Sequence, residues 1–315
     1  MSPTAMIWMI VGIVLGLLGL FFLLSFIVYL LVFYNTNKEK DITFEVPAGK
    51  QYEAYADQLI ASIRYTLDLP YSEHHIRAKD GKRLAARFYE FNEDGPILLE
   101  FHGWKGCVIR DLSGGIPYDK ERGYNVFMAE HRGHDQSQGV TISYGIKERY
   151  DVVSWANYLA EKYPNRDIFL YGVSMGAATV LMASSLVLPK QVKAIFADCG
   201  YTSPIDIIDK VGRGWHLPMK CFHPFLFSAA WIFGHFHLGE CSALEEVKKA
   251  RLPIWIVHGT ADTFVPYSMA LEFQKANPDI ALFTFEGAPH AFSFFVDGKR
   301  YFSIVDAFIE RYKSR

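Results

Sequence analysis

A serine sits between two glycines at Gly172-Val173-Ser174-Met175-Gly176, and its flanks decide what that spacing means. An apolar run from Asp167 to Tyr171 leads in, and the small residues Gly176, Ala177, Ala178 and Thr179 lead out. Strand, sharp turn and helix in that order hold the serine in a strained backbone conformation and lift its hydroxyl above a sheet edge. A structural serine in an ordinary turn is the bland alternative, and the flanking elements disfavour it. A hydroxyl becomes a useful nucleophile when a base takes its proton and a carboxylate orients that base. His290, in EGAPHAF, is the only histidine after the apolar run 253–259, and Asp262, in HGTADTFVP, follows that run directly. Both are expected at the sheet edge that carries Ser174, in the chain order Ser, Asp, His. His258 falls in a strand end and His102 in another loop, while Asp198, after the strand that follows the serine turn, is the rival acid. The chemistry implied is acyl transfer through a covalent serine intermediate, with no cofactor.

Bringing those side chains together takes a sheet. Short apolar runs at 96–103, 124–133, 167–176, 192–200, 253–259 and 281–290 alternate with helical patterns at 148–162, 175–187, 268–276 and 301–312. That rhythm predicts an α/β fold, with a mostly parallel central sheet and helices on both faces. HHIRAK and RLAARFYEF around Asp80-Gly81 predict an antiparallel hairpin at its start. The interval 201–251 is too long for one connecting helix and is expected to be a helical cap at the end of the sheet where sites lie. Between 211 and 239 the cap carries Trp215, Leu217, Met219, Phe222, Phe225, Leu226, Phe227, Trp231, Ile232, Phe233 and Phe236, against charges only at Arg213 and Lys220. Such a surface favours an apolar acyl or aryl group, the alternative being that these residues merely pack cap on sheet. FLFSAAWIF at 225–233 is too short to span a bilayer but able to dip into one, near lipid-borne substrates. Cys221, His223, His235, His237 and Cys241 are ligand types that zinc accepts, yet they have no finger spacing, so no metal is expected. A Cys221–Cys241 disulfide would need an external domain.

Ahead of all this, residues 6–34 hold 29 positions without a charge, and the first charged side chain is Lys38. A helix of that length reaches roughly 43 Å, enough to cross the roughly 30 Å hydrocarbon core with tilt. The run is too long for a secretory signal and has no basic region before it. Lys38 and Lys40 on one flank against an uncharged MSPTA on the other predict a single-pass protein with its main domain on the cytoplasmic side. Gly12 and Gly16 have the spacing through which two membrane helices approach closely, which leaves room for a homodimer through that face, but small residues are common in membrane helices and ordinary composition is the favoured reading. The division expected is a transmembrane anchor at 1–37, a linker with an amphipathic helix (51–67) at 38–73, and a catalytic domain at 74–315. A net charge of -2 gives no footprint for nucleic acid, and four scattered cysteines give no disulfide framework.

Six ordered stretches, FHGWKG (101–106), EHRGHDQSQG (130–139), GVSMGAAT (172–179), ADCGYTSP (197–204), HGTADTFVP (258–266) and GAPHAFS (287–293), resemble the α/β-hydrolase family over residues 75–315. They are most similar to its membrane-anchored bacterial members near the prolyl-oligopeptidase-like and BEM46-like groups. The resemblance implies that His102 and Gly103 build an oxyanion loop, in which the backbone N–H groups of Trp104 and Met175 face the developing negative oxygen. Arg132, Gly133, His134 and Ser137 match the family's RGxGxSxG stretch, with His134-Asp135 where His-Gly is common, and read as a structural loop. The expected activity is hydrolysis of small-molecule or lipid-like esters or thioesters. A peptidase is the runner-up within enzymes, and a non-catalytic binding protein on the same fold is the alternative outside them.

Overall fold

The alternating pattern becomes an eight-stranded sheet in the computed structural model, which describes residues 2–36, 43–46 and 49–314. The spatial order is β1 (Ser72–Arg77), β2 (Arg83–Tyr89), β4 (Asn125–Ala129), β3 (Ile97–Phe101), β5 (Ile168–Val173), β6 (Val192–Asp198), β7 (Ile254–Gly259) and β8 (Ala281–Phe285). β1 pairs antiparallel with β2 and β2 with β4, and the pairings from β4 through β8 are parallel. The first hairpin turns from Ala78 to Lys82, and of the Asp80-Gly81 pair only Gly81 takes a positive φ, 85°. The inner parallel strands β3 to β7 are buried on both faces, which is why they read as near-continuous apolar runs, while the edge strand β8 is half-buried. Along β4, Phe127 and Ala129 enter one core while Val126 and Met128 enter the other. The same alternation along β5 sends Ile168 and Leu170 one way and Phe169 and Val173 the other.

The helices Glu148–Lys162, Met175–Ala183 and Tyr267–Ala276 cover the first face, and Ala56–Leu67, Val108–Leu112 and Gly298–Tyr312 cover the second. The helix expected over 51–67 is broken into Lys50–Glu53 and Ala56–Leu67. Its second piece buries Leu59 and Ile63 in the domain, and the break lets Tyr52 and Tyr55 pack on Phe292, with ring centroids 4.7 and 5.6 Å away. The interval 201–251 forms the cap, with helices Pro204–Gly214 and Met219–Ser228, a π-helical turn Ala229–Phe233 and a short helix Ala243–Val247.

One helix, Pro3–Val32, is long and apolar enough to cross a membrane, and Gly12, Gly16 and Gly19 on it face open space. Its far end does not stop at a domain boundary as the expected anchor at 1–37 would. Phe33 is fully buried in the first core, edge-on to Tyr144 and Phe236. Tyr29 Oη hydrogen-bonds Thr141 Oγ1 at 2.8 Å, Asn35 N donates to Val140 O at 2.8 Å, and Asn35 Nδ2 donates to Gly133 O at 2.8 Å. Higher up the helix, Phe21 meets Phe225 and Phe26 meets Phe233 of the cap, each with centroids 5.1 Å apart. Helix, cap and sheet therefore share one apolar interior. Lys38 and Lys40, which carry the orientation argument, lie outside the described residues.

Candidate active site

β5 runs straight into Ser174, which sits at φ 56°, ψ −114° ahead of the helix Met175–Ala183. A side chain at Gly172 would collide with the backbone of Gly176, and one at Gly176 with the backbone of Phe101. Those two glycines are what lets the strained turn exist. Ser174 N donates to Asp198 O at 2.8 Å, tying the turn to the end of β6. His290 comes from the loop after β8 and Asp262 from the loop after β7, both at the same carboxyl edge of the sheet as Ser174. His290 Nε2 lies 2.9 Å from Ser174 Oγ, and His290 Nδ1 lies 2.7 Å from Asp262 Oδ2. Asp262 Oδ1 accepts the backbone N–H groups of Phe264 (2.9 Å) and Val265 (2.8 Å), which fixes the carboxylate. Burial alone would raise that carboxyl, but His290 and His258 beside it hold it well below the usual carboxylate range. The relay is thus Oγ to imidazole to a charged carboxylate.

The rival acid points elsewhere. Asp198 Oδ2 accepts Tyr301 Oη at 2.9 Å, Tyr301 Oη lies 2.9 Å from Tyr171 Oη, and burial pushes the Asp198 carboxyl up to about 6.

Two family profiles match in tandem: the alpha/beta hydrolase fold over residues 96–222 and the dienelactone hydrolase family over 222–307. The chain belongs to the α/β-hydrolase superfamily. Among curated relatives it is 27% identical over 191 residues to YqkD of Bacillus subtilis, covering 60% of this chain and 63% of that one. It therefore spans less than two thirds of that relative's length. Among solved structures it resembles the Pyrococcus furiosus esterase Pf2001, with a TM-score of 0.65, 23% identity, and coverage of 79% of this chain and 94% of that one. It also resembles the acylaminoacyl peptidase of Pyrococcus horikoshii, with a TM-score of 0.57, 15% identity, and coverage of 79% and 43%. At these identities the two structures speak for the fold.

In this α/β-hydrolase the loop 102–106 crosses over the serine, with Gly103 closely packed on Ser174. His102 is a buried strut, its Nδ1 2.9 Å from Gly103 O and its Nε2 accepting His131 N at 3.1 Å. Burial, with His131 and His134 nearby, pushes the His102 imidazole well below its ordinary value, so it stays neutral. Met175 opens its helix, where a backbone N–H has no intrahelical acceptor, and Trp104 stands across Ser174 on the loop. The stretch after β4 is structural in its contacts: Arg132 is bidentate to Asp151 (2.7 and 2.6 Å) and reaches Asp80 at 2.8 Å, while Ser137 Oγ bridges Ala85 N and Glu130 O. Asp135, where glycine is common, takes φ 33°, which accounts for that preference.

The cap residues of ligand type do not converge. His223 pairs with Asp209 at 2.8 Å, Cys241 Sγ lies 2.7 Å from Arg149 Nη1, His237 stacks on Trp231, and Cys221 is exposed, neither cysteine being in a disulfide. Among the described residues Cys199, Asp262 and His290 do cluster within 4.8 Å, but the last two are committed to each other.

Asp111 is missing from the sequence-level reading. Its Oδ2 accepts Gly103 N at 3.0 Å while its Oδ1 takes Arg110 Nε at 2.7 Å, so a charged pair holds the serine-facing loop. The signal available was an Arg-Asp pair inside the otherwise apolar CVIRDL. Two cavities meet at Ser174. One of about 270 Å³ also touches Tyr52, Arg110, His290 and Phe292. The other, about 480 Å³, runs under the cap between Ile208, Leu217, Phe222, Leu226 and the end of the N-terminal helix.

Proposed function

We propose that this chain is a membrane-anchored serine hydrolase that cleaves carboxylic esters or thioesters of apolar acyl or aryl groups. The observation that carries the reading is the Ser174–His290–Asp262 relay opening into an apolar cavity. Ser174 Oγ attacks the carbonyl carbon while its proton passes to His290 Nε2, and Asp262 holds the imidazole in the needed tautomer and stabilises the cation formed. The backbone N–H groups of Trp104 and Met175 donate to the tetrahedral oxygen, on the loop that Asp111 and His102 brace. Collapse breaks the bond to the leaving alcohol or thiol, which takes the proton back from His290. Water then attacks the acyl-enzyme, His290 accepts its proton, and the carboxylic acid leaves as Ser174 is restored.

The test is a fluorophosphonate probe and a panel of p-nitrophenyl acyl esters beside aminoacyl-anilides, on wild type and Ser174→Ala. Ester turnover and labelling that both vanish in Ser174→Ala are expected, and labelling of the variant at the wild-type rate would remove Ser174 from this role. The likeness to an acylaminoacyl peptidase keeps a peptidase as second reading, and preference for the anilides would establish it. In this reading the helix Pro3–Val32 is the anchor and the catalytic domain lies on the cytoplasmic side, a reading supported by the helix's length and apolarity and by Lys38 and Lys40 on its C-terminal flank.

A further inference from the structure

The larger cavity has a wall that a soluble hydrolase would not possess. Val28, Leu31 and Val32, from the last two turns of the N-terminal helix, line the same space that reaches Ser174 and Trp104. The remaining lining is cap residues and aromatic rings, with Lys210 as the one charged side chain. Depth along the helix can be counted. A span needs about 20 residues, so one that enters at Met6 leaves the hydrocarbon near Ser25. The cap touches the helix at Phe21 and Phe26 through Phe225 and Phe233. The aromatic end of the cap therefore lies at acyl-chain depth, and the cavity wall begins within a turn of where the helix leaves the hydrocarbon. Trp215 lines the cavity yet is exposed, and Trp231 is exposed on the π-helical turn Ala229–Phe233, both of the type that settles at membrane interfaces. Exposed Arg213 and Lys220 on the same cap suit anionic headgroups.

We infer that this cavity is an acyl passage fed from the bilayer: the substrate is a membrane-resident ester or thioester of a long fatty acyl chain. The chain enters between the cap and the N-terminal helix and lies against Val28, Leu31 and Val32, bringing its carbonyl to Ser174. The anchor is then part of the substrate site. Lateral entry keeps the chain in apolar surroundings throughout, so the cost of drawing a lipid tail through water is avoided. The chemistry is that of the hydrolase reading, on which this inference rests: an Oγ–acyl bond forms, the bond to the lipid's alcohol or thiol breaks, and the His290 proton goes to that leaving group.

The test uses the full-length protein in phosphatidylcholine vesicles with 4-methylumbelliferyl butyrate and palmitate, read as the palmitate-to-butyrate ratio of kcat/KM. Leu31→Trp fills the passage from an exposed helix position and should lower the ratio about tenfold or more, with Val28→Trp as a second blocking variant. Leu30→Trp, on the same turn but outside the cavity, should leave the ratio within about twofold of wild type. The passage is overturned if both blocking variants keep the wild-type ratio, if Leu30→Trp lowers it equally, or if wild type turns over butyrate and not palmitate. Failure on both esters together with no fluorophosphonate labelling of Ser174 would sink the hydrolase reading and this one with it.

Discussion

At the scale of residues, two acids compete for one role and their surroundings separate them. Asp262 is charged, fixed by two backbone donors and 2.7 Å from His290 Nδ1, whereas Asp198 spends its carboxylate on Tyr301 and is pushed up to about 6. Asp262→Asn should therefore lower kcat for a p-nitrophenyl ester by about four orders of magnitude, since the amide favours the wrong imidazole tautomer. Asp198→Asn should do far less, and a reversed order in the two steady-state measurements would move the acid to β6. The histidines under the serine-facing loop make a separate, titratable point. Burial, with His134 close by, pushes His131 down to about 3 in the folded protein, against about 6.5 in an unfolded chain. Between those values the unfolded state binds the extra proton. His131 therefore withdraws stability as pH falls from about 6.5, by at most about 1.4 kcal/mol per pH unit, and withdraws none above that. His131→Gln keeps a donor for His102 O without the titration. Its melting temperature relative to wild type should rise steadily from pH 7 to pH 4.5, and a constant difference over that range would refute the account.

At the scale of elements, the N-terminal helix carries core residues as well as an apolar stripe. Phe33→Ala empties a fully buried position between Tyr144 and Phe236 and should cost about 3–5 kcal/mol, seen as a lower thermal midpoint in detergent. Deleting residues 1–24 keeps Tyr29, Phe33 and Asn35 and should leave a folded domain, whereas deleting 1–37 should yield a far less stable one. Equal midpoints for the two truncations would return the boundary to residue 37. The reason that boundary was not legible is physical: a continuous apolar run has no mark at the point where its partner changes from lipid to protein. The five inner parallel-sheet runs, by contrast, were legible because strands buried on both faces are apolar at successive positions and each run ends at a Gly that turns the chain. The Ser174 turn was legible because only glycine fits at 172 and 176. Asp111 was not, because a carboxylate that braces a loop across eight residues has no spacing rule of its own. The short helices Val108–Leu112 and Ala243–Val247 escaped for a similar reason, being too brief to show a helical period.

At the scale of the whole molecule, the exposed apolar surface of the N-terminal helix has to be matched with something. Residues Met6 to Leu20 are exposed along the full circumference of the helix, a larger apolar surface than water-soluble proteins leave open. In the proposed reading hydrocarbon covers it, and the tie of Tyr29, Phe33 and Asn35 to the loop 133–142 would then keep the catalytic domain close against the same bilayer. The full-length protein should accordingly sediment with membranes and resist alkaline carbonate, and release by carbonate would show that the helix does not span. The proposed orientation rests on Lys38 and Lys40, since cationic flanks are biased toward the cytoplasmic side. Protease added to intact cells should then spare the catalytic domain while protease added to lysed cells digests it. Digestion in intact cells would place the domain outside, where oxidising conditions act on exposed Cys221 first and leave buried Cys241, held against Arg149, until the cap loosens.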